Sequence, residues 1–137
     1  MKVLLIYMTE FGWSPRSKTL EDFPEVEESG LLKDVQTAFI HVEAEDADNA
    51  SAVEKKLLKN IKWAAGKNHT RRVVLHSFAH LSVSKADPHF TKELFDRVEE
   101  RLKNSEYEVF QTPFGYFLDL EVKAPGYSMA RVFKDIS

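Results

Sequence analysis

His76 and His80 stand four residues apart in the stretch RRVVLHSFAHLS that begins at Arg71, with Ser77 between them. Paired imidazoles at this spacing hold zinc when a helix presents both rings on one face. Here the pair follows Val73 to Leu75, an apolar run whose β-branched start suits a buried strand, so convergence of the rings is not assured. No Glu stands between them, and an open zinc site takes three protein ligands; His41 would be the third only by accident of the fold. One buried, hydrogen-bonded ring and one surface ring is the reading preferred, and no metal is expected. Ser77 lies outside any GxSxG turn, which leaves a Ser-His-Asp nucleophile without its usual mount. The five glycines are scattered, and no GxGxxG, GKS or GKT sequence offers a phosphate cradle. Asp119 and Glu121 share one face of a strand and read as solvated.

Two groups could meet RNA. Phe114, Tyr116 and Phe117 could stack on a base, although packing is the better account of Phe114. Lys55, Lys59, Lys62, Lys67, Arg71 and Arg72 could grip a phosphate backbone, or form the wet flank of an amphipathic helix, which is preferred. The chain has 137 residues and a net charge of −3, so there is no overall basic field to draw in nucleic acid. Its length and 43% apolar content predict one folded domain with a sizeable core. Absence of cysteine excludes disulfides and thiolate chemistry and makes a cytoplasmic protein the default. The apolar run Val3 to Met8 is too short for a signal segment or a membrane span.

These candidates need elements to hold them. Met1 to Met8 predicts a strand, and Thr9 to Gly30, with Pro15, Pro24 and an acidic cluster, predicts a long loop. Phe11 and Trp13 would anchor that loop. Val35 to Glu43 predicts a second strand, with Ala38, Ile40 and Val42 on one face and Thr37, Phe39 and His41 on the other. Ser51 with Glu54 resembles a capping box, and Val53, Leu57, Ile61 and Ala64 recur at helical spacing, so a helix is expected over 50–66 with Gly66 as its stop. A strand over 72–76 follows, parallel to the second and at the centre of the sheet. Ligands in open α/β sheets bind beyond the carboxyl ends of strands, so this strand would also carry the floor of a site. Asp87-Pro88 opens a second helix, striped by Phe90, Leu94, Val98 and Leu102 and braced by Glu93–Arg97 and Glu99–Lys103 pairs, ending at Asn104. Strands over 107–110 and 116–123 are expected to pair as a hairpin, with Leu118, Leu120 and Val122 inward. Residues 130–136 form a short element of unassigned type.

The opening MKVLLIY, the block AFIHVE from Ala38, FAHLS from Phe78 and PFGY from Pro113 occur in an order and at separations that carry a resemblance. Across essentially its whole length the chain resembles the N-terminal editing domain of archaeal threonyl-tRNA synthetases. The resemblance implies a single α/β domain over 1–137, a mixed β-sheet with two main helices packed on it, D-aminoacyl-tRNA deacylase-like. It implies hydrolysis of serine wrongly esterified to threonine tRNA, without a cofactor, assisted by the RNA 2′-hydroxyl and water. The aminoacyl group would be held by main-chain groups at Val42, Phe78 and Ala79. His80 would act as the catalytic residue by positioning the terminal ribose or a water. His41 belongs to the substrate-binding set, and Tyr116 and Phe117 would line the adenosine side.

Three positions depart from the family. Leu118 stands where the family usually has Lys, Phe117 where it often has a second Tyr, and Arg131 where a Glu is expected. A weakened or inactive homologue that binds RNA or an amino acid is therefore the alternative, and a purely structural domain is a third. The partners implied are aminoacylated threonine tRNA, a threonyl-tRNA synthetase and a second copy in a homodimer, with no membrane. No aminoacylation region follows Ser137, which fits either an excised domain or a free-standing protein.

Overall fold

The first strand, β1, runs Lys2–Lys18 in the computed structural model, which describes residues 1–137. It is much longer than expected, because Thr9 to Lys18 are strand rather than loop. Their backbone groups pair with β2 (Gly30–His41) as far as Trp13↔Gly30, and with β5 (Tyr116–Lys123) from Glu10↔Lys123 to Lys18↔Tyr116. Two irregularities hide the alternation. Asp34, between the paired Met8↔Val35 and Glu10↔Lys33, adopts φ 51, and the register with β5 shifts between Pro15 and Ser17. Phe11 is fully buried, so it anchors the sheet itself.

From β2 the chain enters α1 (Ala50–Lys67), returns as β3 (Arg72–Ser77), enters α2 (Pro88–Asn104) and returns as β4 (Glu108–Gln111). β2, β3 and β4 are parallel neighbours, as helical crossovers require. Asp87 caps α2 as expected, its carboxylate accepting from the amides of His89 and Phe90. The start of α1 differs from expectation: its N-cap is Asn49, without a side-chain bond, and a 3₁₀ turn over Ala44–Asn49 precedes it, boxed by Glu43 and Asp46. Gly66 stays inside α1, and Asn68 closes it.

Glu54 is instead the clasp between the helices, accepting from Arg97 at 2.7 Å and Arg101 at 2.8 Å. Arg97 therefore pairs across helices rather than with Glu93, whereas Lys103 does reach Glu99 at 2.7 Å. Burial alone would push the Glu54 carboxyl up, but the two guanidinium partners hold it below its ordinary value. Glu54→Ala is expected to cost about 2 kcal/mol in urea unfolding, because bonds to charged groups are the stronger ones and the arginines fall back on solvent. A change within measurement error would remove Glu54 from the account of how the helices are held.

The sheet order is β4-β3-β2-β1-β5, with β6 (Arg131–Asp135) also on β1. The last untyped stretch is thus a 3₁₀ turn, Ser128–Ala130, and a strand antiparallel to β1. β3 is not at the centre of the sheet but second from one edge, and β1 is the strand with most partners, pairing with β2, β5 and β6. The expected β4–β5 hairpin does not form: the two lie at opposite edges, joined only by residues 112–115. Those edges would stand about 19 Å apart in a flat sheet, at about 4.8 Å per strand. Fully extended, the connection spans at most about 18 Å, and it contains a turn. The sheet accordingly curls until its edges approach at this end. Both helices cover one face through Val3, Leu5, Ala38, Ile40, Val73 and Leu75, while Met8, Phe11, Val35, Phe39 and Val74 fill the inside of the curl. Val122, expected inward, is half exposed because β5 extends past that inner cluster.

Candidate active site

Curling brings the carboxyl ends of β2 and β3 against the start of β5. Between them lies a cavity of about 350 Å³. Its lining includes His41, Val42, Ala79, His80, Tyr116, Phe117 and Leu118, seven of the nine residues expected from sequence. No Asp or Glu lines it, although the chain carries 22 of them. Leu118 is half-buried and faces the cavity without filling it.

The segment after β3 forms the floor. The Phe78 amide donates to the Ile40 carbonyl at 2.9 Å, and the Phe78 carbonyl accepts from the His80 amide at 2.9 Å. Between these bonds, the N–H and C=O of Ala79 have no partner within the chain. Unpaired backbone groups of this kind are strong recognition elements, since each calls for a hydrogen bond from whatever excludes water. The Phe78 ring turns away, 5.2 Å from Phe39 and 6.0 Å from His76 between centroids. It does not line the cavity; only its backbone shapes the floor. His80 is exposed, with its ring edge-on to Phe78 at 4.9 Å.

His41 is 1% exposed and both of its nitrogens are occupied. Nδ1 accepts from the Leu81 amide at 3.0 Å, which places the proton on Nε2, and Nε2 donates to the Ser84 carbonyl at 2.6 Å. His41 thus pins the loop over 81–86 to the end of β2. The Ala86 amide adds a bond to the Val42 carbonyl at 3.1 Å, and Ser82 donates to Glu43 at 2.7 Å. The Met1 ammonium, 2.7 Å from Glu43, holds that carboxyl down at about 2 against the opposing effect of burial.

The opposite wall is the connection into β5. Gly115 takes φ +83, and its carbonyl accepts from the Thr19 and Leu20 amides, fastening the turn to the end of β1. A side chain there would be strained by that φ, and its Cβ would meet Leu20 at 3.1 Å. Tyr116 accepts from the Val26 amide through its hydroxyl at 2.9 Å, and Phe117 is 59% exposed, a face open to a base. Phe114 packs edge-on against Phe23, as its packing reading anticipated.

His76 and His80 take the preferred roles, one buried on Thr112 and one at the surface. Arg131 is not brought to the cavity: it opens β6 opposite Ile6 and is exposed there. The basic flank lies elsewhere too. Arg72 begins β3, roughly 17 Å of strand from the floor, and is tied to Glu108, while Arg71 and Lys62 bond to Ser105. Thr112 and Lys85, which also line the cavity, were not anticipated. Thr112 adjoins PFGY and was within reach of that motif, whereas nothing in the local sequence marks Lys85.

A strongly curled mixed sheet, two helices on one face and a cavity at the strand ends define a class of domain. A solved structure titled "c-Myc DNA Unwinding Element Binding Protein" shares the fold, with a TM-score of 0.72 over 98% of each chain at 10% identity. That shared arrangement is the D-aminoacyl-tRNA deacylase-like fold. More particularly, residues 1–136 match the archaea-specific editing domain of threonyl-tRNA synthetase, and the chain belongs to that family. Similar relatives are threonine–tRNA ligases of Thermococcus kodakarensis, 31% identical, and Methanococcus aeolicus, 30% identical; they match over 99% and 100% of this chain. The chain spans 22% of the length of each. No helix is long and apolar enough to cross a membrane.

Proposed function

We propose that this domain is an aminoacyl-tRNA deacylase that removes serine from mischarged threonine tRNA. The observation that carries the reading is the free main chain of Ala79 on the floor of a carboxylate-free cavity. At about 350 Å³ the cavity falls within the usual range for small-ligand sites, about 300–1,000 Å³. The seryl group sits on Val42 and Ala79, with Phe78 holding the floor in shape. The adenosine lies along Tyr116 and Phe117, and His80 meets the terminal ribose or a water. Water adds to the acyl carbon, the bond to the ribose oxygen breaks, and that oxygen takes a proton. The products are free serine and uncharged tRNA. The neighbouring ribose hydroxyl and ordered water assist, so the domain needs no nucleophile of its own.

Such a second site has a physical purpose. Threonine exceeds serine by one methyl, which a binding pocket distinguishes by only about 1–3 kcal/mol. In this reading the domain serves a threonyl-tRNA synthetase and works as a homodimer in the cytoplasm. Leu118 on the cavity wall favours a second reading, a homologue that binds without turnover. Incubation with Ser-charged and Thr-charged threonine tRNA separates the two. Loss of the seryl ester alone supports editing; tight binding of both without ester loss supports the second reading.

A further inference from the structure

Lys85 is the one lysine or arginine lining the cavity. Its ammonium makes no hydrogen bond or ion pair. By contrast, Lys92 on α2 is tied to Asp96, and Arg16 on β1 is tied to Asp119. The root of Lys85 is fixed on both sides. The preceding carbonyl, of Ser84, is held by His41, and the following amide, of Ala86, is held by the Val42 carbonyl. A fixed backbone with a free, solvated head group is suited to an anion that arrives from solution. Opposite stands Leu118, where no charge is available, and no carboxylate in the lining competes.

We propose that Lys85 is a phosphate-binding residue of this site. Its ammonium pairs with the phosphodiester that joins the terminal adenosine to the preceding nucleotide. It thereby places the ester over Ala79 without taking part in the chemical step. The assignment rests on the editing reading for the identity of the RNA end. It goes beyond that reading in naming the group that captures it.

The test measures hydrolysis of Ser-charged threonine tRNA and of seryl-adenosine, which has no phosphate, by wild type, Lys85→Ala and Lys85→Arg. For the tRNA, Lys85→Ala is expected to raise KM roughly fivefold or more with kcat nearly unchanged, and to lower the salt slope of binding by about 1. Lys85→Arg should restore both, and seryl-adenosine should show no difference among the three proteins. An unchanged KM for tRNA, or an equal loss on seryl-adenosine, overturns the proposal. Should wild type hydrolyse neither substrate, the editing reading fails while Lys85 is still decided: binding of an uncharged CCA-ended oligonucleotide must then weaken in Lys85→Ala and recover in Lys85→Arg, or the assignment fails as well.

Discussion

Ala79→Leu is expected to reduce kcat/KM for Ser-charged threonine tRNA by about 100-fold or more while leaving the unfolding midpoint close to wild type. Ala79 is exposed on the cavity floor, so a larger side chain grows into the cavity and meets no core atom. Its backbone is not among the positive-φ residues, so leucine adds no strain to the turn. The added branch occupies the ground where the acyl group has to lie if the free N–H and C=O of Ala79 are to reach it. Displacing a reacting ester by about 1 Å already costs about 100-fold. Single-turnover deacylation together with urea unfolding checks both halves. Wild-type hydrolysis by a normally folded Ala79→Leu protein would falsify the placement of the aminoacyl group on this floor.

The second large effect is on stability in mild acid. His76 is 5% exposed, ringed by Phe11, Phe39 and Phe78, with Nδ1 2.9 Å from the Thr112 hydroxyl. Burial, with a smaller push from the charge of His80, lowers its pKa to about 4. Above about pH 6.5 the ring is neutral in folded and unfolded chains alike, and full stability is present. As pH falls from about 6.5 to about 4 the unfolded chain takes up a proton that the folded chain refuses, and stability drops by roughly 3 kcal/mol. Below that, Glu43 continues the decline, because its depressed carboxyl loses its contribution as pH falls from about 4.5 to about 2. His76→Gln retains a hydrogen-bonding partner for Thr112 without titrating in this range. Its urea midpoints should therefore vary less with pH between 6.5 and 4 than those of wild type. Parallel curves for the two proteins would show that the burial of His76 does not govern acid sensitivity.

Much of the fold can be read directly from the residues, and the exceptions have identifiable causes. α1, α2 and β3 are legible because their apolar periods are unbroken and Asp87-Pro88 is a strong local start. The second half of β1 is not, because Pro15 sits at a register shift and β5, the partner of that half, lies some hundred residues further along the chain. The absence of a β4–β5 pairing is illegible for a related reason: the turn at Thr112–Gly115 looks local but joins opposite edges of the sheet. At the site, periodicity located the end of β3 and the aromatic group offered Tyr116 and Phe117, but only resemblance to a family gave Val42 and Ala79 a role. Cavity walls built from four distant segments leave no signature in any one of them. Arg131 illustrates the limit of alignment near the chain's end, and Lys85 that of motifs in general: its significance comes from what surrounds it in space.

The position of β1 also sets a timetable. It leaves the ribosome before the other elements of the domain, yet β5 and β6 occupy its second flank, with Lys2 opposite Asp135. Until the final quarter of the domain has been synthesised, a long row of amides and carbonyls on that flank is unprotected, the kind of edge that recruits other strands. Contacts so remote in sequence also slow the search for the native state. The nascent chain is thus most vulnerable to misassociation just before β5 and β6 emerge, and a chaperone that shields this flank would matter most in that interval.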